Sequence, residues 1–281
     1  MITVIHPGIY SSIQDMGRTG YANVGVPISG VMDSYSVKIG NQLLLNEIND
    51  AVIEITNGGA KFQFEKTVQI CITGADFNAK IDANPIAMNT IVEIKKGAVL
   101  IFGKREKGIR TYLCVQGGIR TSSVLNSKSF YKEITKSARL KKGDQLSIGE
   151  PNSIVSSRNA KVKVAEDHFT ANTILCLKGP EYELLSKSEQ NKLLNHLFTI
   201  SKDNNRMGYR LEEKVENNLK SIFTSGVLPG TVQLTPSGKL LVLMRDCQVT
   251  GGYPRVLQLT EESINRLAQK STREQIQFVL K

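Results

Sequence analysis

The chain has 281 residues, of which 40% are hydrophobic and 22% are charged, and its formal net charge is +10. This length predicts two domains, and the composition excludes a disordered chain or a small domain that depends on disulfides or metal. No apolar run approaches the roughly 20 residues of a membrane-spanning helix, and the N-terminal residues do not resemble a secretion signal. We therefore expect a cytoplasmic protein without membrane contact.

The positive charge is spread evenly along the chain. Residues 1–150 contain 18 basic and 13 acidic side chains, residues 151–281 contain the same numbers, and Trp is absent. Proteins that bind nucleic acid concentrate basic side chains in a patch or tail and often place aromatic rings among them. The sequence therefore predicts a small anionic substrate or acidic partner surfaces, and no nucleic acid.

Short runs with a period of two dominate the chain and predict a mainly β fold with a few helices. Helical periodicity is clear only at 33–45, 186–197 and 261–268, where Asp33 and Ser186 are suitable N-caps for the first two helices. Closely spaced strands separated by turn residues are typical of barrels and sandwiches. The strongest predicted strands, in chain order, are Val68–Thr73, Thr90–Ile94, Ala98–Phe102, Thr111–Val115, Thr173–Leu177 and Leu240–Met244.

The stretch Pro151–Asn159 is polar and has no regular period, which predicts a linker between a domain at 1–155 and a second domain at 156–281. The string Arg18–Tyr21 has a weak counterpart in Arg206–Tyr209, which indicates that the two domains are related. Chance similarity between short glycine-rich strings is the alternative explanation.

The four cysteines stand far apart, without a CxxC pair or a neighbouring histidine that would indicate a zinc or redox site. We expect them to be buried strand residues and expect no metal site. The cysteines are Cys71, Cys114, Cys176 and Cys247.

Glycine-rich polar strings follow several of the predicted strands. Glycine lets backbone N–H groups approach an anion, and arginine offers a planar fork to a carboxylate or phosphate, so such strings suit small anionic ligands. Asn57–Gly59 is more simply a turn. The string Gln248–Pro254, directly after a predicted buried strand, favours ligand contact. Neither a Walker string nor a GxGxxG fingerprint occurs.

Two carboxylates beside these strings, Asp15 and Asp33, are the candidate catalytic residues, because a buried carboxylate can act as a general base or orient a water molecule. A local salt bridge between Asp15 and Arg18, and helix capping by Asp33, are the alternatives. No histidine lies beside a cysteine or in a GxSxG string, so the sequence lends no support to a nucleophilic triad.

Five strings, taken together and in order, resemble the family that contains the C subunit of prokaryotic ATP-dependent 5-oxoprolinase, the regulator KipA and the allophanate hydrolase-like or carboxyltransferase-like segment of urea amidolyase. The resemblance runs from about Gly8 to Ala268. The strings are Gln14–Arg18, Ser29–Asp33, Arg206–Leu211, Ser225–Gln233 and Thr250–Pro254.

The resemblance implies two cyclophilin-like β-barrel domains. It also implies two partners, a KipI-like B subunit and a lactam-utilisation-like A subunit, with which the C subunit hydrolyses 5-oxo-L-proline to L-glutamate. ATP is then a cofactor that acts through the complex, and a chain of this kind is inactive without its partners. Besides the two aspartates, the implied substrate-binding residues are Gln14, Arg18, Ser29, Arg206, Arg210, Gln233, Gln248, Thr250, Gly251, Gly252 and Tyr253.

The chain departs from the family pattern in two places. Only Lys132–Lys141 remains where the family usually has a longer glycine-rich segment, and Ser271–Glu274 replaces the usual Gly-Asp turn before the last strand. Both departures affect the expected lid or partner surface and leave the five strings intact.

Two other functions remain open. A KipA-like regulator would bind and oppose a KipI-like protein without turnover. A carboxyltransferase-like component would use biotin, and since the sequence has no Ala-Met-Lys-Met string, another protein would carry the biotin.

Overall fold

The computed structural model describes residues 1–151 and 162–281, which form two compact units. The first unit comprises Met1–Arg18 and Ser29–Phe169, and the second comprises Thr19–Ile28 and Thr170–Lys281. The boundary predicted between residues 155 and 156 lies outside the described residues, as does the predicted linker beyond Pro151. The second unit also includes a short segment, Thr19–Ile28, that the predicted division assigned to the first domain.

The strands of the first unit form two antiparallel sheets, one ordered β11-β12-β1-β4-β9-β6-β7 and the other β2-β3-β10-β5-β8. Apolar side chains from strands of both sheets form one shared core, and β5 and β10 are buried along most of their length. The strands are β1 (Ile2–Pro7), β2 (Tyr10–Gln14), β3 (Val52–Thr56), β4 (Ala60–Phe64), β5 (Val68–Asp76), β6 (Lys80–Ile81), β7 (Asn84–Pro85), β8 (Ile91–Ile94), β9 (Val99–Ile101), β10 (Lys107–Val115), β11 (Ile119–Arg120) and β12 (Gln145–Ile148).

Helix α1 (Ser34–Leu43) covers the other face of the five-stranded sheet. Its contact is close because Gly40 has no side chain: a Cβ there would lie 2.4 Å from the Sγ of Cys114. Asp33 caps the helix by accepting a hydrogen bond from Ser36 N at 3.1 Å. A short helix, α2 (Asp167–Thr170), lies at the junction of the two units in the sequence.

The second unit is a closed barrel in which the strands follow the order β13-β20-β17-β18-β15-β14-β21, with a separate ribbon of β16 and β19. Helix α3 (Lys187–Asn195) begins with a capping box between Ser186 and Glu189, and α4 (Glu261–Leu267) is capped by Thr260. The strands are β13 (Thr173–Lys178), β14 (Phe198–Asn204), β15 (Gly208–Lys214), β16 (Ser225–Gly226), β17 (Thr231–Leu234), β18 (Lys239–Leu243), β19 (Thr250–Gly251), β20 (Arg255–Leu259) and β21 (Gln275–Leu280).

The prediction of a mainly β fold with a few helices is confirmed, and so are the six strongest strands and the N-caps Asp33 and Ser186. The predicted β-barrel is present in the second unit as a closed barrel. The strands of the first unit are arranged in two sheets. Asn57 and Gly58 both have positive φ and form the predicted turn. That turn does not close a hairpin, because the strands on either side of it belong to different sheets.

None of the helices in residues 1–151 and 162–281 combines the length and the apolar character needed to cross a bilayer.

All four cysteines are buried and unpaired. The predicted strand position is confirmed for Cys71, Cys114 and Cys176, but it is wrong for Cys247, which lies in the loop after β18. Burial raises the pKa of Cys71 and of Cys247 to about 12 and that of Cys176 to about 11, and it raises the pKa of Cys114 well above its ordinary value. The thiolate is the reactive form, and at pH 8 a thiol with a pKa of 11 is about one part in a thousand ionised. Burial and low ionisation should therefore make the native thiols slow to react.

We predict that iodoacetamide at pH 8 leaves all four cysteines of the native protein unmodified and labels all four in denaturant, as measured by intact mass. Rapid labelling of any one of them in the native state would contradict the burial of that cysteine.

Candidate functional site

The outer face of the barrel carries a polar cavity where β14, β15 and β18 meet. Tyr209 and Leu211 on β15 are fully buried in the barrel, so Arg210 between them faces outward, opposite Leu241 of β18. The cavity has a volume of about 640 Å³. Its walls combine two cations, one carboxylate, three amides, a glycine and three apolar side chains: Lys202, Arg210, Asp203, Asn204, Asn205, Gln248, Gly208, Met207, Leu241 and Leu243.

Arg210 is one of two cations in this cavity that could bind an anion. Its nearest acidic neighbour is Asp203, whose Oδ2 lies 3.9 Å from Nη1, and the two side chains are 64% and 60% exposed. An ion pair this loose and this exposed contributes little, because water screens it. The planar fork of Arg210 can therefore exchange Asp203 for another carboxylate at small cost.

Arg206, by contrast, is already engaged. Its Nε and Nη2 donate to the two carboxylate oxygens of Asp246 at 2.8 and 2.9 Å, and both side chains are about nine-tenths buried. Asp246 N also donates to Arg206 O at 2.8 Å. A buried bidentate pair of this kind joins the start of β15 to the end of β18. Of the two arginines predicted to bind anions, only Arg210 presents its guanidinium to the cavity.

The predicted ligand string at 248–253 is held against the barrel by Gln233. The Gln233 side chain is buried, and its Nε2 donates to Tyr253 O at 3.4 Å, while its Oε1 has no hydrogen-bond partner in the described part of the chain. A Cβ at Gly251 would lie 2.4 Å from Gln233 Nε2, so glycine at this position allows the close contact with the Gln233 side chain. On its other side the string pairs through Thr250 and Gly251 with β16.

Thus the structure brings several predicted residues of the second unit together. Gln248 and Arg210 line the same cavity. Tyr253 and Arg210 also line a neighbouring cavity of about 490 Å³. Gly252 accepts a hydrogen bond from Ile222 N at 2.9 Å, which ties the string to the preceding loop.

Three predicted residues of the first unit form hydrogen bonds with the segment Ser127–Phe130: Gln14, Asp15 and Arg18. Asp15 accepts hydrogen bonds of 2.6 Å from each of the hydroxyls of Ser127 and Ser129 and from Lys128 N. Arg18 Nη2 donates to Ser129 O at 2.5 Å, and Gln14 Nε2 donates to Phe130 O at 3.2 Å. The side chains of Gln14, Asp15 and Arg18 are all buried. Asp15 and Arg18 therefore both bind this segment.

The strings at 14–18 and 29–33 pack backbone against backbone. Val31 N donates to Asp15 O at 2.8 Å, and a Cβ at Gly30 would lie 2.8 Å from Gly17 N. Ser29, which is buried, adopts a φ of 57° in the left-handed region to make this approach. Glycine-rich sequence in this unit therefore serves close packing of two loops.

Asp33 has a partner that the sequence did not reveal. Its Oδ2 lies 2.9 Å from His168 Nε2 and accepts a hydrogen bond of 2.6 Å from Ser36 Oγ. The His168 ring is buried and packs between the rings of Tyr35 and Phe169, at centroid distances of 5.0 and 4.9 Å. Asp33 thus caps α1 and holds an imidazole 135 positions later in the chain.

Glu54 and Tyr112 are two further buried residues that the sequence did not indicate, and both form hydrogen bonds with the backbone of the loop 29–33. Glu54 accepts a hydrogen bond from Met32 N at 2.8 Å, and the Tyr112 hydroxyl accepts one from Asp33 N at 2.9 Å. Burial, with the negative charges of Glu54 and Asp33, raises the pKa of Tyr112 well above its ordinary value. The available signal was a carboxylate inside an otherwise apolar strand, Val52–Thr56.

Across residues 1–151 and 162–281, no group of three or more His, Cys, Asp or Glu side chains could hold a metal ion.

Comparison with known proteins identifies the family. The model of the carboxyltransferase domain, subdomains A and B, matches residues 24–280. The chain belongs to the carboxyltransferase domain family. It is 32% identical to the C subunit of 5-oxoprolinase from Escherichia coli over 99% of this chain and 91% of that protein. It is 29% identical to the C subunit of 5-oxoprolinase from Haemophilus influenzae over 99% and 90%. The resemblance drawn from the five strings is confirmed.

Solved structures of carboxyltransferase-family members share the fold across 99% of this chain. The urea amidolyase of K. lactis has a TM-score of 0.87 at 27% identity, and the urea carboxylase of Kluyveromyces lactis has a TM-score of 0.88 at 26% identity. The chain spans only 18% and 27% of those two larger chains. In both of them the carboxyltransferase fold is one part of a longer protein.

The Arg206–Asp246 pair of this carboxyltransferase domain leads to a stability prediction. Asp246→Asn removes the charge that compensates a buried guanidinium, and we expect it to lower the free energy of unfolding by about 3 kcal/mol in urea titrations. The matched control is Asp203→Asn, which removes an exposed carboxylate from the wall of the same cavity and should change stability by less than about 0.5 kcal/mol. Equal effects of the two substitutions would contradict the structural role of Asp246.

Proposed function

We propose that this chain is the C subunit of an ATP-dependent 5-oxoprolinase, a complex that hydrolyses 5-oxo-L-proline to L-glutamate. The observation that carries the proposal is its match to proteins named as C subunits of 5-oxoprolinase over nearly the full length of both chains. The partners are a KipI-like B subunit and a lactam-utilisation-like A subunit, and the complex is cytoplasmic. The candidate site on the barrel supports the same proposal through its chemistry.

The cavity beside Arg210 suits a small cyclic amide that carries a carboxylate. Arg210 can bind the carboxylate through two parallel hydrogen bonds. The side-chain amides at the cavity wall, including Gln248, can donate to the ring carbonyl and accept from the ring N–H. Leu241 and Leu243 supply an apolar surface for the ring methylenes. The role of this chain is therefore to bind and orient the substrate.

The cavity does not fit a triphosphate. It presents two cations, Lys202 and Arg210, and Asp203 lies on the same wall, where it would repel a polyanion. The sequence has no Walker string. We therefore assign ATP to the partner subunits. Lactam opening is difficult because resonance makes the amide carbonyl a poor electrophile, and phosphorylation of the carbonyl oxygen, for which ATP is the donor, overcomes this.

The sequence made Asp15 and Asp33 candidate catalytic residues, whereas our proposal gives both a positioning role. Asp15 is surrounded by four hydrogen-bond donors, including Gly17 N at 2.9 Å, and Asp33 is held by Ser36 and His168. We propose that both act as positioning residues that keep the loops 14–18 and 29–33 in place. Catalytic groups for proton transfer then come from the complex.

Two observations favour a second candidate function: the match to the carboxyltransferase domain family, and the solved relatives named urea amidolyase and urea carboxylase. In this alternative the chain is a carboxyltransferase component, and a biotinylated protein brings the carboxyl group. Arg210 would then bind that carboxylate. Copurification of a biotinylated protein with this chain, detected with streptavidin, distinguishes this alternative from the first.

A KipA-like regulator would bind a KipI-like protein and show no turnover in any mixture.

Reconstitution tests the main proposal. We predict that this chain, mixed with the KipI-like and lactam-utilisation-like subunits of the same organism, gives ATP-dependent release of L-glutamate from 5-oxo-L-proline. The mixture without this chain is the control and should have at most a few per cent of the activity. Full activity in that control would remove this chain from the enzyme.

Substitution of Arg210 tests the binding site within the active mixture. Loss of a charge-assisted hydrogen-bond pair typically costs about 1.5 to 3 kcal/mol, so Arg210→Ala should raise KM for 5-oxo-L-proline by about 10-fold to 100-fold and change kcat much less. Arg210→Lys should recover part of the loss. The matched control is Arg105→Ala, an exposed arginine of the first unit, which should leave KM unchanged. An unchanged KM in Arg210→Ala would place the substrate elsewhere.

A further inference from the structure

The first unit carries a fixed, basic strap, defined as residues 136–144. Leu140 N donates to Ser11 O at 2.8 Å, which ties the strap to the edge strand β2. Further along, Gly143 N donates to Val4 O at 2.8 Å, and Val4 N donates to Asp144 O at 2.9 Å, which ties the strap to β1. The Leu140 side chain is buried under the strap. The backbone is therefore anchored to both sheets, and the side chains beside Leu140 must point outward.

Four outward side chains of the strap are cationic, and its one carboxylate, Asp144, accepts a hydrogen bond from the backbone N of Lys141 at 2.8 Å. Lys136, Arg139, Lys141 and Lys142 lie within seven residues, and all four are exposed. Within residues 1–151 and 162–281, none of these four has an ion-pair partner within 4 Å. Arg206 and Arg255, by contrast, each have a close carboxylate. Four adjacent cations without partners repel one another, so a carboxylate-bearing partner would relieve that repulsion.

The strap also forms one wall of a groove of about 310 Å³, whose other wall is Pro7–Ser11. Arg139, Lys141 and Lys142 line it directly. Ile9, on the opposite wall, is 71% exposed. A groove with a cationic wall and an exposed apolar side chain fits an extended protein segment in which carboxylates accompany at least one apolar residue.

We propose that this strap groove docks a carboxylate-rich segment of a partner subunit. The three cations that line the groove, Arg139, Lys141 and Lys142, favour an acidic occupant, and the anchored backbone holds them in position before binding. The inference rests on the proposed function only for the identity of the partner.

The chain contains its own matched control. The string Lys-Lys-Gly occurs at 141–143 and again at 95–97, in both cases as an exposed turn that leads into a strand. Gly143 and Gly97 have φ values of 89° and 87°. Reversing either lysine pair changes the net charge equally, but only the first pair lines the groove.

The test measures binding of each double variant, Lys141→Glu with Lys142→Glu and Lys95→Glu with Lys96→Glu, to the KipI-like and lactam-utilisation-like subunits by calorimetry at 50 and 300 mM NaCl. We expect the first pair to weaken binding at least tenfold at low salt, with a smaller difference at high salt because ions screen the contact. The second pair should stay within threefold of wild type. Thermal unfolding verifies that both variants fold.

Competition with poly-L-glutamate and with duplex DNA identifies the kind of occupant. Poly-L-glutamate should displace the partner from wild type, and DNA at equal charge should not; displacement by DNA alone would overturn the acidic-protein proposal. Equal affinities of the two double variants, or no complex with wild type, would overturn docking at the strap. Glutamate release is measured in parallel, so docking through the strap without ATP-dependent release would refute the proposed enzyme and leave the docking inference standing.

Discussion

The buried ion pair between Arg206 and Asp246 is the constraint on which the candidate site depends. It connects the loop before β15 to the loop after β18. Arg206 donates to both carboxylate oxygens of Asp246, and Asp246 N donates to Arg206 O. The string that begins at Gln248 starts two residues later, so its position follows from this pair. Releasing Arg206 from Asp246 would cost about 3 to 5 kcal/mol, so in our proposal Arg206 stays paired and Arg210 binds the ligand. In this account Arg206 has a structural role, whereas Arg210, four residues later, faces the cavity.

Glycine-rich strings have different uses in the two units. In the first unit they allow two loops to pack backbone against backbone, as Gly30 does against Gly17, and their polar side chains hold the Ser127–Phe130 segment. In the second unit Gly251 lets the string approach Gln233, and the exposed residues beside it line cavities. The same kind of sequence thus gives rigidity in one unit and a ligand-sized space in the other.

Local patterns predicted the fold well because their causes are local. An N-cap such as Ser186 needs only the next three residues, and a strand such as Leu240–Met244 is visible from its own apolar run. The contacts that build the site are not local. Asp246 lies 40 positions from Arg206, and His168 lies 135 positions from Asp33. No spacing rule connects such residues, so sequence reasoning found neither pair and treated Arg206 and Arg210 as equivalent.

The central claim is that the cavity beside Arg210 holds the substrate carboxylate while Arg206 stays paired with Asp246. A crystal structure of this chain with its partner subunits and 5-oxo-L-proline tests it most directly. The account predicts the carboxylate within hydrogen-bond distance of the Arg210 guanidinium, with Asp203 displaced and the Arg206–Asp246 pair intact. A carboxylate bound to Arg206, with Asp246 released, would contradict it.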